Sequence, residues 1–235
     1  MFTGIEFNGK HSYKDFNLTI SEFDIGNPSK IKIQERVPFS NTVYDFSELY
    51  GEQEYDEREL SYTFNIAYRE KAKSFFSYEA EVLRWLMAPN KKVILKDDKI
   101  PGYYFLAEAV TGPTGEFKFV GGSLTVTFRA YPFKIAVLPE GNDLWDSFNF
   151  NLDYAQSTTY LVGGLLKVIL VNPGVKSVYP KINATATMQI TKSKRSYSLQ
   201  AGTTQSFDFT LEPGENKLEI SGTGTISFEF YKELI

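Results

Sequence analysis

His11 is the only histidine in the chain, so a Ser/His/Asp relay or an imidazole-held metal would have to be built on it. It stands in NGKHSY and reads as a surface or strand-edge residue rather than a general base. There are no cysteines, which removes thiolate nucleophiles, disulfides, zinc ribbons and iron–sulfur ligation together. The 29 acidic residues offer many carboxylate pairs, but glycoside chemistry needs two at a separation of roughly 5 or 6.5–9.5 Å, and spacing along the chain singles out none. Asp97 and Asp98, in LKDDKIPG, read as a turn between strands. The acidic run GEQEYDERE, with Glu52, Glu54, Asp56, Glu57 and Glu59, lacks the Asp/Asn alternation and central glycine of a calcium loop. TGPTGEFKFVGG and LVGGLL match neither phosphate-binding glycine pattern and read as hairpin turns. Trp85 falls in a helical stretch and reads as core, whereas Trp145, in DLWDSF, suits domain packing and a ligand platform equally. No catalytic set, metal site or cofactor site emerges.

The elements that would position any site are mostly strands. Leu60, Tyr62, Phe64, Ile66 and Tyr68 alternate with polar residues, the signature of a half-buried strand. Similar runs occur at 123–130 (Leu124, Val126, Phe128), 204–211 (Phe207, Phe209, Leu211) and 225–231 (Ile226, Phe228, Phe230). Turn signals at NPSK, IPGYY, TGPTGE, NPG, EPGEN and SGTG separate them. One segment, 74–88, reads as a helix, with Phe75, Phe76, Val82, Leu83, Leu86 and Met87 on one face before Pro89 stops it. The expected organisation is mainly β: an N-terminal domain over 1–135, a linker over 136–150, where Pro132, Pro139 and Gly141 interrupt alternation, and a C-terminal β-sandwich over 151–235.

With 235 residues, 42% hydrophobic, the chain buries one large core or two of ordinary size. No apolar run approaches the roughly 18 residues of a membrane span, and the first residues show no cationic segment followed by an apolar one, so synthesis in a cytoplasm is expected. The net charge of −4 argues against a nucleic-acid binder, whose affinity rests on clustered cations. The densest cationic group, Lys192, Lys194 and Arg195, reads as a solvated turn.

One segment fits no core strand. In RVPFSNTVYDFSELYGEQEYDER, from Arg36 to Arg58, apolar residues are scattered among acids, with Pro38 and Gly51 breaking the alternation. This is the pattern of a β-arm, and an isolated hairpin cannot bury its own aromatics. An arm folded back on its own domain and an arm covered by a neighbour both satisfy it. Val37, Phe39, Tyr44, Phe46 and Tyr55 are the candidate apolar contacts, with Glu57 and Arg58 as polar partners.

Taken in order, GIEFNGKHSYKDFNL (Gly4 to Leu18), VPFSNTVYDFSELYGEQEYDERELSYTFNI (Val37 to Ile66), the helix ending EVLRWLMAP, FRAYPFK (Phe128 to Lys134) and LEPGENKLEISG (Leu211 to Gly222) resemble the distal tail proteins (Dit) of long-tailed, siphovirus bacteriophages. The resemblance implies an N-terminal β-sandwich with one helix and a protruding belt hairpin, followed by a galectin-like C-terminal β-sandwich, in a short form without an inserted carbohydrate module. It also implies a homohexameric ring in the virion, at the tail tip. That ring would join the tail tube protein to tail-associated, baseplate and receptor-binding proteins. DNA would pass through as transiting cargo only, with no membrane insertion, no cofactor and no enzymatic role. The alternatives are a carbohydrate-binding module contacting host cell-wall polysaccharide and, more remotely, a glycan-degrading enzyme. Against the sugar reading, residues 151–235 contain no His and no Trp, the residue types a galectin sugar site uses.

Overall fold

A computed structural model describes residues 3–49, 51–66, 74–118, 121–142, 144 and 149–235. The chain divides into two compact units, Met1–Lys134 with Ile235, and Ile135–Leu234.

Alternation organises the first unit. Leu60, Tyr62, Phe64 and Ile66 of β6 (Arg58–Ile66) all point inward, as do Leu124, Val126, Phe128 and Ala130 of β10 (Gly121–Ala130). The two strands pair antiparallel from Gly122 opposite Ile66 to Ala130 opposite Arg58. The remaining elements are β1 (Ile5–Phe7), β2 (Lys10–His11), α1 (Ser12–Phe16), β3 (Leu18–Ile25), β4 (Gln34–Arg36), β5 (Val43–Asp45), α2 (Phe75–Met87), β7 (Val93–Asp97), β8 (Tyr103–Ala109) and β9 (Thr114–Lys118). The sheet runs β2-β1-β7-β8-β10-β6-β3, with β9 also on β10.

Helix α2 starts at an N-cap, where Ser74 Oγ accepts the Ser77 amide (3.2 Å), and ends at Ala88 before Pro89. It buries Val82, Trp85 and Leu86, while Phe76 and Met87, expected on the inner face, are exposed. Trp85 is core: its Nε1 donates to the Phe7 carbonyl (2.6 Å) and its indole stacks on Phe16 at 4.7 Å.

In the second unit, β12 (Thr159–Asn172) pairs along its whole length with β17 (Gly214–Glu229). β17 carries β14 (Met188–Lys192) and then β15 (Arg195–Leu199) beside its middle, and β13 (Lys181–Ala184) and then β16 (Gly202–Thr204) beside its end. Short strands β11 (Lys134–Ala136), which spans the unit boundary, and β18 (Glu233–Leu234) complete the set. Val162, Leu170, Ile182, Ile190, Leu218, Ile220, Ile226 and Phe228 form its core. Residues of the expected linker belong to this unit, since Ala136 and Glu140 donate their amides to Lys232 and Phe230.

Three expectations need correction here. LVGGLL is no hairpin turn: Gly163 and Gly164 lie inside β12, opposite Thr223 and Gly222. Glycines at 164, 222 and 224 take positive φ (109°, 140° and 138°), which lets the ribbon distort without ending. Phe207 does not belong to a strand and is exposed, although Phe209 and Leu211 are buried as alternation predicts. Lys192 is not a solvated turn residue but is buried, with its ammonium on Glu212 and the Thr210 carbonyl.

Candidate functional site

The arm grows directly out of the sheet. Pairing of β3 with β6 continues past Ile25 opposite Leu60 through Gly26 N–H to Glu59 O (2.9 Å), Asp56 N–H to Ser29 O (2.8 Å), a Lys30–Tyr55 bridge, Ile31 N–H to Glu54 O (2.9 Å) and Phe46 N–H to Ile33 O (2.8 Å). Gln34, Glu35 and Arg36 then face Asp45, Tyr44 and Val43. The arm therefore starts near residue 27, earlier than the sequence pattern suggested.

Because side chains alternate across a strand, this register sorts the hairpin into two faces. Lys32, Gln34, Arg36, Val43 and Asp45 share one. There Asp45 accepts from Lys32 Nζ (3.2 Å), Gln34 Nε2 (3.2 Å) and the Ser47 amide (2.9 Å). These bonds, led by those from Ser47, hold its carboxyl well below the usual carboxylate range. The opposite face carries Ile33, Glu35, Val37, Tyr44 and Phe46. Apart from Glu35 it is apolar, and it is exposed: Ile33 is 58% exposed, Tyr44 57% and Phe46 41%, with the two aromatic rings 6.2 Å apart. Leu49, beyond the hairpin, is also exposed.

At the tip, Ser40 N–H closes a turn onto Val37 O (3.2 Å). Pro38 and Phe39 are its central residues, and Phe39 takes φ +59°, a left-handed conformation usually left to glycine, with its side chain fully exposed. A bulky residue is thus held in a strained conformation with its ring in solvent.

No family model matches the sequence, and no curated protein does. Among solved structures, the chain is similar over 100% of its own length and 100% of the other to the Dit protein (gp 19.1) of SPP1. That structure is described as a paradigm of the hub adsorption apparatus in phages infecting Gram-positive bacteria; the TM-score is 0.66 at 10% identity. The fold is that of a distal tail protein. On this distal tail fold, the mainly β architecture and full-length match agree with the family that the sequence resembles.

The predicted contact residues separate into two groups. Val37, Phe39, Tyr44 and Phe46 lie on the hairpin and its tip. Tyr55, Glu57 and Arg58 lie at the root and engage their own subunit. Tyr55 meets Phe133 edge-on at 5.2 Å, and Glu57 pairs with Lys92, which also reaches Glu108 (3.5 Å). Arg58 is buried over the Phe105 ring, 5.4 Å from its centroid, with Nε and Nη2 unbonded. Burial pushes its pKa down. Arg58 shares the inward parity of Leu60 and Tyr62 and faces the interior of its own unit. Ile33 was missed, although KIKIQERV shows it in alternation with lysines.

The other chemical candidates resolve into structural roles. His11 lies on β2 at the edge of the sheet, as expected, but its side chain is buried rather than on the surface. It caps α1 by accepting the Tyr13 and Lys14 amides at Nδ1 (3.1 and 3.2 Å), leaving Nε2 to donate to Asp98 Oδ2 (3.1 Å). Asp98 also takes the Gly4 amide (2.9 Å), and buried Asp97 accepts from Tyr62 Oη (2.9 Å) and the Lys99 amide (2.8 Å), so the pair orders the β7–β8 turn. An open cleft of about 520 Å³ is lined by Asn8, Lys10, Glu81, Arg84, Trp85 and Ala88, but its tryptophan is committed inward and offers no stacking platform. Trp145 lies outside the described residues.

Proposed function

We propose that this chain is a structural hub of a long-tailed phage tail, a distal tail protein whose copies close into a hexameric ring between the tail tube and the adsorption apparatus. The observation that carries the reading is the uncovered apolar face of the arm. Joined to a full-length likeness to a protein described as an adsorption hub, it gives an otherwise costly surface a use. A hairpin that leaves Ile33, Tyr44 and Phe46 in water gains by laying them on the next subunit. A head-to-tail contact repeated by a closing rotation makes a ring. Burying about 400 Å² of apolar surface per junction at about 25 cal/mol per Å² supplies roughly 10 kcal/mol before association costs.

Under this reading Val37, Phe39, Tyr44 and Phe46 form the junction, and the second unit is a platform for baseplate or receptor-binding proteins. The net charge of −4 suits a lumen that lets DNA pass without holding it, since a cationic lining would bind phosphates by counterion release. The test is negative-stain imaging and solution mass of the full chain, with and without the exposed hairpin, residues 32–47. A six-fold annulus that disappears with the arm is expected. A monomer that binds cell-wall saccharide at micromolar affinity would replace this reading with the carbohydrate-binding one.

A further inference from the structure

Strand β12 leaves a long edge open. It pairs with β17 from Thr159 opposite Ser227 to Asn172 opposite Gly214 and has no strand on its other side among the described residues. The side chain of Gln156 shows which main-chain groups face outward: its Nε2 donates to the Val171 carbonyl (2.6 Å) and its Oε1 accepts the Val171 amide (2.8 Å). Val171 therefore turns both groups away from β17. By alternation, Ile169, Lys167, Leu165, Gly163 and Leu161 do the same.

Native sheet edges are normally blunted by charge, proline or a bulge. Here the register across β17 continues without a bulge even through Gly164, whose φ is +109°, and the single charge between 161 and 169, Lys167, is paired with Glu219 of its own sheet (2.7 Å). Leu161, Leu165 and Ile169 are 80%, 66% and 51% exposed.

We propose that this edge pairs antiparallel with the same edge of a second copy, about a two-fold axis at Leu165. In that register Leu165 meets its counterpart, Leu161 meets Ile169 and Gly163 meets Lys167. Apolar side chains adjoin apolar ones and no like charges oppose each other. A Cβ at Gly163 would meet nothing within 4 Å, so the facing lysine has room. The pairing also stops itself, because the next step sets Thr159 against Val171, whose edge Gln156 already closes. About ten main-chain hydrogen bonds form between the copies. Slipping the register by two residues sets Lys167 against Leu165 or Leu161, which selects the symmetric one.

The absence of cysteine makes one introduced thiol an unambiguous reporter. In the full-length chain, Leu165→Cys places two thiols on facing residues whose Cα atoms are about 5.5 Å apart, within disulfide reach. Mild oxidation then gives covalent dimer as the main product on a non-reducing gel. Leu161→Cys alone, about 27 Å from its twin at 3.4 Å per residue, gives about tenfold less, and Leu161→Cys with Ile169→Cys restores the dimer. Leu165→Lys, which sets two ammonium groups on the axis, halves the particle mass by light scattering. Equal cross-linking of the two single variants, no dimer from Leu165→Cys, or a mass unmoved by Leu165→Lys overturns the proposal. None of these variants touches the arm, so failure here leaves the ring reading standing.

Discussion

Replacing Tyr44 and Phe46 by serine separates assembly from folding. Tyr44 is 57% and Phe46 41% exposed. An aromatic side chain carries about 150–250 Å², so each leaves roughly 100 Å² for a neighbour to cover. At about 25 cal/mol per Å², the pair contributes about 5 kcal/mol to each junction, between three and four powers of ten in association constant. Each ring is also partly covered by its own arm, so the subunit itself should lose about 1–2 kcal/mol once residual burial in the unfolded chain is discounted, less than the about 3–5 kcal/mol of a core aromatic. Sedimentation velocity across a micromolar dilution series reads the first quantity and urea unfolding of the dissociated subunit the second. The expected result is loss of the assembled species with only a small fall in the unfolding midpoint. An assembly boundary that stays where it was, or a subunit destabilised by more than about 3 kcal/mol, would refute the reasoning, the latter because it would mean the rings are core residues of their own chain.

Phe39→Gly relieves a left-handed backbone at φ +59° and should raise thermal stability by about 1 kcal/mol while weakening assembly; a fall in stability counts against the strain assignment. Tyr62→Phe strips the phenol donor from buried Asp97 and should cost about 1–3 kcal/mol in urea, so a loss under about 0.5 kcal/mol would show the bond to be replaceable. The depressed Asp45 carboxyl stabilises the hairpin fully above its unfolded pKa of about 3.9, and that contribution drains away as pH falls below it. The Ser47 amide resonance should therefore titrate with a midpoint below 3.9, and Asp45→Asn should abolish the titration; a midpoint at or above the unfolded value contradicts the network. Gly222→Val sets a Cβ 2.9 Å from Met188 Cγ at φ +140° and should cost about 1–3 kcal/mol, read by thermal unfolding.

Strands β6 and β10 and helix α2 were legible because burial on one face imposes a period that the residue types display: 2 for Leu60 to Ile66, 3.6 for Val82 to Leu86. Helix α1 was not, since its single turn is created by a histidine cap and an Asn17 at φ 55° rather than by an apolar stripe. The β12–β17 ribbon misled because paired glycines signal a turn in isolation, whereas here a partner strand carries the chain through them. Lys192 misled for a related reason, as the carboxylate that admits it to the interior, Glu212, comes from another segment. The arm was visible as a misfit, but its two faces depend on register, which fixes Asp45 opposite Gln34 and could not be counted from composition. Arg58 was readable in principle: counting back in twos from Leu60 puts it inside.

The legs of the protrusion are prolongations of β3 and β6, and β6 is flanked on its far side by β10 over nine facing residues. Tension applied at the tip along the strand direction therefore meets those hydrogen bonds in shear, so that many must yield together instead of peeling singly, and survival under force is set by the rate of that concerted rupture. Any contact made at the tip of an arm anchored in this way gives way before the strands that carry it unravel.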